Sequence, residues 1–109
     1  MAETPLDLLP GTLDLLILRT LRQGPQHGYG IGQRIEQVSG VFRVRIGSLY
    51  PALQRLEQAG LVAASWQSSE NNRRARYYRL TRRGEARLFR EELDWQRAAD
   101  GIARVLGGR

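Results

Sequence analysis

No stretch of this chain has fewer ways to fold than Gly47 to Val62. Leu49, Leu53 and Leu56, with Ala52 beside them, repeat at the spacing of a single buried helical stripe. Ser48 is placed to cap the first free backbone N–H groups of that helix. Pro51 then falls in the first turn, where a missing N–H costs no helical hydrogen bond. Gly60 supplies a left-handed stop, and Leu61-Val62 opens a strand. Opposite the leucines lie Tyr50, Pro51, Gln54, Arg55 and Gln58. Arg and Gln bond bidentately to guanine and adenine edges, so this face suits a DNA major groove. An ordinary amphipathic surface helix carries the same pattern, and the neighbouring segments must separate the two.

Upstream, Thr12 is placed to cap a first helix, with Asp14 in its first turn where the helix dipole favours an acid. Leu13, Leu15, Leu16, Ile17, Leu18 and Leu21 make that helix apolar around most of its girth. It is therefore central to the core or shared with a partner chain. Gly24-Pro25 ends it. A second helix opens at Gln26-His27-Gly28-Tyr29-Gly30-Ile31, with Ile31, Ile35 and Val38 turned inward, and closes at Ser39-Gly40. His27, the only histidine, reads as a capping or packing residue, with a ligand or base as the alternative. Residues 1–10, with Pro5 and Pro10, form a flexible lead.

Downstream, residues 61–66 and 75–80 have strand character around a turn-forming Ser68-to-Arg73 segment. Thr81 caps a last helix that runs to about Leu106. The order helix, helix, helix, hairpin, helix predicts a mainly α (α+β) fold. It is the plan of a winged helix-turn-helix with a two-stranded β-wing and a long C-terminal dimerisation helix. Residues 1–80 form the DNA-binding domain and 81–109 the dimerisation helix.

Among the 109 residues, 17 basic side chains against 11 acidic ones leave a net charge of +6, and every basic residue is arginine. That balance points to nucleic acid first, then to an acidic membrane or partner. A general arginine-for-lysine bias of the source gives the same count. Arg43 and Arg45 stand just ahead of the third helix, placed to clamp flanking phosphates. Arg73, Arg74 and Arg76 stud the wing, where Glu70 is placed to hold one of them. The absence of cysteine excludes disulfides, thiolate metal sites and a Cys nucleophile, and a single histidine leaves little for an enzyme to use. Glu91, Glu92 and Asp94 read as solvated helix charge. No cofactor is called for, no apolar run is long enough to span a membrane, and a cytoplasmic location is expected.

These residues carry a resemblance. Leu9-Pro10-Gly11-Thr12-Leu13-Asp14, His27-Gly28-Tyr29-Gly30-Ile31, Gly47-Ser48-Leu49-Tyr50-Pro51-Ala52-Leu53, Leu56-Glu57-Gln58-Ala59-Gly60-Leu61-Val62 and Arg76-Tyr77-Tyr78-Arg79-Leu80-Thr81-Arg82-Arg83-Gly84 together resemble the PadR family of bacterial winged-helix transcriptional regulators. The Leu-Tyr-Pro-Ala-Leu run followed, after a wing, by Tyr-Tyr-Arg-Leu-Thr is the specific part. The resemblance implies a homodimeric repressor that binds double-stranded DNA at a palindromic operator through the third helix and wing. It also implies dimerisation through the C-terminal helix, and this chain is similar to the short members that have one such helix. Effectors differ among members, so none is implied here.

The last helix points to a dimer by itself. Leu88, Trp95, Ala99, Ile102 and Leu106 follow a coiled-coil seam once Glu92 fills the missing step, and Phe89 and Leu93 widen the apolar face. The seam is expected to pack with Leu13, Leu16 and Ile17, either between two chains or on its own first helix alone. Trp95 at a two-fold interface suits a small planar aromatic effector, and equally a dimer core with no ligand. The expected function is a homodimeric repressor responding to a small molecule or stress signal. The alternative is a winged-helix module that binds protein or RNA without reading an operator.

Overall fold

A computed structural model describes residues 4–68 and 71–107. In chain order it contains β1 (Leu6–Asp7), α1 (Pro10–Leu21), β2 (Gln26–His27), α2 (Gly28–Ser39), β3 (Phe42–Arg43), α3 (Ile46–Gln58), β4 (Val62–Ser68), β5 (Arg74–Leu80) and α4 (Arg82–Val105). This is the expected winged helix. Ser69 and Glu70 lie outside the described residues, and so does the expected pairing of Glu70 with a wing arginine.

The stripe read from α3 is buried residue for residue: Leu49, Ala52, Leu53 and Leu56. They meet Leu13, Ile17, Leu18 and Leu21 of α1 and Ile31 and Ile35 of α2 in one core. Val62, Tyr78 and Leu88 close that core from the wing and α4. Burying each large side chain contributes about 1.5–3 kcal/mol, while a good N-cap contributes about 1 kcal/mol. The stripe therefore outweighs the cap in deciding where α3 lies.

That ranking explains two corrections at helix starts. α3 opens at Ile46 with Arg45 at the N-cap position and no side-chain cap, so Ser48 sits inside the first turn. Pro51 is inside the helix rather than in its first turn, where its absent N–H removes the bond the Gly47 carbonyl would accept. α1 likewise opens at Pro10, with Leu9 at its N-cap position. Proline there presets the helical φ and forgoes a hydrogen bond that was unavailable anyway. Thr12 does not cap, and Asp14 lies past the first turn.

The lead is more ordered than expected. Leu6 and Asp7 pair in parallel with Phe42 and Arg43, and Leu6 N–H donates to the Val41 carbonyl at 2.8 Å. Residues 1–3 lie outside the described residues. Val38, expected inward, is 71% exposed, so the α2 stripe ends at Ile35. Gln26 and His27 add a third strand beside β5, giving the sheet order β2-β5-β4. His27 caps α2, its Nδ1 accepting from the Gly30 N–H at 3.0 Å, and its ring meets Tyr77 edge-on at 5.3 Å.

α4 is anchored at its start and open beyond it. Thr81 caps it by accepting from the Gly84 N–H at 3.0 Å, while the same hydroxyl donates to the Gly60 carbonyl at 2.7 Å. One side chain thus ties the α3 stop to the α4 start. Thr81→Ala is expected to cost about 0.5–2 kcal/mol, read as a lower midpoint in denaturant unfolding. Of the α4 residues only Gly84 and Leu88 are buried. Phe89, Leu93, Trp95, Ile102, Val105 and Leu106 are each more than half exposed.

Candidate nucleic-acid interface

Because its leucines face the core, α3 turns Gly47, Pro51, Gln54 and Gln58 outward, all exposed. Tyr50 and Arg55 stand on the flanks rather than on the crest. The Tyr50 ring lies against the first residue of α2, where a Cβ on Gly28 would come within 2.6 Å of it. Glycine at that position is what admits the ring. Arg55 leans the other way, toward α1, and its Nη2 donates to Asp14 Oδ1 at 3.1 Å.

Arg55 is not alone in having a carboxylate partner. Arg45 Nε donates to Asp7 Oδ1 at 3.0 Å, and Arg76 Nη2 donates to Glu57 Oε2 at 2.7 Å. Three of the arginines expected on DNA are therefore held by acids on other elements. The partners lie 38, 41 and 19 residues away in the chain, so no local pattern reveals them. All three arginines remain partly exposed, and such pairs contribute only about 0–1 kcal/mol. A pair of that strength fixes a direction and yields to a phosphate. Arg43, Arg73 and Arg74 are exposed, as is Ser48. The Arg74 guanidinium lies 5.5 Å from the Trp66 ring centroid and that of Arg76 lies 6.0 Å from Tyr78.

Burial pushes the Asp14 carboxyl above the ordinary carboxylate value, Arg55 pulls it back, and Glu91 pushes it up again. Burial likewise raises the Tyr78 phenol, against the pull of Arg76.

A second feature lies between α1 and α4. A groove of about 540 Å3 is lined by Leu15, Leu16, Phe42, Leu93 and Trp95, with Arg19 and Glu92 at its edge. Arg19 Nε and Glu92 Oε2 pair across it at 3.6 Å. The hollow continues for about 370 Å3 past Leu16 and Phe42 to Ile35 and Val38. The seam read from the sequence is thereby divided. Trp95, Ile102 and Leu106 stand on open surface, and Leu16 and Ala99 are half-buried. Leu13, Ile17 and Leu88 are 0–2% exposed within the single chain. With no surface left to offer a second chain, these three are core rather than interface. Leu15 and Phe42, neither of them part of the expected seam, line the groove instead. Their apolar character was visible, but the side they face depends on how α1 and β3 pack.

Among the described residues, no helix is long and apolar enough to cross a membrane. No group of three or more His, Cys, Asp or Glu is positioned to hold a metal.

The family model for the transcriptional regulator PadR-like family matches residues 17–90. A transcriptional regulator of Mycobacterium tuberculosis is 36% identical over 96 residues, covering 87% of this chain and 83% of that protein. A PadR family transcriptional regulator from Eggerthella lenta superposes with a TM-score of 0.77 at 31% identity, over 91% of this chain and 85% of that one. A Streptococcus mutans structure reaches a TM-score of 0.83 at 28% identity, covering 100% of this chain and 96% of that one. The family is one of transcriptional regulators, not of enzymes. Its match runs from the middle of α1 through α3 and the wing into the first turns of α4, and on that ground the chain belongs to the PadR-like family of transcriptional regulators.

Proposed function

We propose that the protein is a homodimeric repressor that reads a palindromic operator and is released by a small-molecule or stress signal. The observation carrying this reading is the polar crest of α3 with arginines on both sides. Gln54 and Gln58 stand on the crest beside Pro51, with Arg45 and Arg55 on one side and Arg73, Arg74 and Arg76 on the wing. In the complex, Gln54 reads a base edge and Tyr50 and Ser48 contact the backbone beside it. Arg43, Arg45 and Arg55 reach phosphates, the last two by exchanging Asp7 and Asp14 for DNA. Dimerisation runs through the exposed half of α4, from Trp95 to Leu106, against the α1 groove of a second copy. A planar aromatic effector stacks on Trp95 in that groove.

A mobility-shift titration on the promoter region upstream of the protein's own gene, against scrambled DNA, tests the reading. Gln54→Ala is expected to lose about 1–3 kcal/mol of discrimination between the two. An unchanged preference removes Gln54 from the reading set, and no preference in the wild type removes operator recognition altogether.

Asp14 gives a second test. Its carboxyl sits above the ordinary value when folded, so it binds its proton more tightly there than in the unfolded chain. The associated stability is present below the unfolded pKa and is lost as pH rises through the folded pKa. Asp14→Asn is expected to remove that loss and to free Arg55. Binding to any duplex should tighten, because Arg55 no longer gives up a carboxylate to reach its phosphate, while Arg55→Ala should flatten the log K against log salt line by about 0.9. An Arg55→Ala slope equal to wild type would show that Arg55 stays off the DNA.

A further inference from the structure

On the wing, Trp66 is 59% exposed, far more than a core role requires. It pairs in register with Arg76, so it shares a face with Arg74, Arg76 and Tyr78. That face looks toward α3, because Arg76 reaches Glu57 across the gap and Tyr78 is buried beneath it. The two arginines are held in different ways. Arg76 is held by a carboxylate, which cancels its charge. Arg74 lies over the neutral Trp66 ring, which fixes a direction and leaves the charge whole.

Resting on the proposed reading of α3 and the wing as a DNA surface, we infer that Trp66 is a positioning residue for wing–DNA contact. Its indole holds the Arg74 guanidinium, at full charge, on the side of the wing that α3 faces. There it meets a phosphate of the flanking backbone. An arginine near the tip of a hairpin otherwise samples many rotamers. Without the ring, the entropy lost in ordering it offsets the gain from one exposed phosphate, so the contact is not made.

The test is the slope of log K against log salt on a random-sequence DNA duplex several turns long. It is measured for wild type, Trp66→Leu, Trp66→Phe, Arg74→Ala and the Trp66→Leu, Arg74→Ala double variant. Trp66→Leu and Arg74→Ala are each expected to flatten the slope by about 0.9, the loss of one phosphate contact. The double variant should flatten it no further than either single change. Trp66→Phe, which keeps a flat ring, should restore the wild-type slope. A wild-type slope in Trp66→Leu, or losses that add in the double variant, overturns the positioning role. So does a Trp66→Phe variant as impaired as Trp66→Leu. A wild-type protein with no salt-dependent binding overturns the DNA reading itself, which separates that failure from failure of the clamp alone.

Discussion

Ile102→Asp is expected to leave a folded monomer that no longer binds operator DNA, although α3 and the wing are untouched. Ile102 is 60% exposed on the distal part of α4 and belongs to no core cluster, so a charge there costs the isolated chain little. In the proposed dimer the same position is covered by a second copy. An unpaired carboxylate buried there costs about 3–5 kcal/mol. The loss of DNA binding follows from geometry. One winged helix covers a half-site, and a dimer sets two of them about one helical turn apart. Linking the two half-site contacts raises affinity by roughly 10²–10⁴, and a monomer forfeits that gain. Sedimentation of the variant beside wild type, with a shift assay on the same samples, decides it. A folded variant that still sediments as a dimer places the interface elsewhere. A monomer that binds the operator as tightly as wild type would show that dimerisation does not set the affinity.

Gly84→Ala is expected to destabilise the fold by about 3 kcal/mol or more, the upper range of overpacking effects. Gly84 lies in the first turn of α4, and a Cβ there would fall on the Leu61 carbonyl oxygen and within 2.6 Å of Leu80 Cδ1. That carbonyl already accepts the Thr81 N–H at 3.1 Å, so it has no freedom to retreat. Relief requires α4 to move outward, which withdraws Leu88, 1% exposed, from the core. For a domain of this size the loss corresponds to a fall in melting temperature of about 12 °C or more. Circular dichroism melts at matched protein concentration provide the reading, because dimerisation shifts the apparent midpoint. A midpoint within a few degrees of wild type would mean that α4 does not lie backbone against backbone on the α3–β4 junction.

What the sequence by itself determined is what depends on neighbours a few residues apart. The leucine stripe of α3 repeats with the helical period, and all four of its residues are buried as read. Gly60 adopts φ +77° and stops that helix, and Thr81 caps the next. The paired strands of the wing follow from the same local patterning, two residues longer at the end of β4 and one longer at the start of β5 than expected. The expected homodimer and its operator rest on that reading together with family membership, and the experiments above are their test.

Only the tertiary structure decided which partner each of those residues meets. Asp7 and Glu57 carry no role in the sequence, and Asp14 only that of an acid at a helix start, until folding brings Arg45, Arg55 and Arg76 to them. No local pattern sets Gly84 apart, and its need for a bare Cα comes from the Leu61 carbonyl that folding places against it. Leu88 and Trp95 share one heptad seam, yet one is core and the other half-exposed. Periodicity reports which side of a helix is apolar. It carries no information on what covers that side, because that depends on contacts between segments far apart in the chain, and those exist only once the chain has folded.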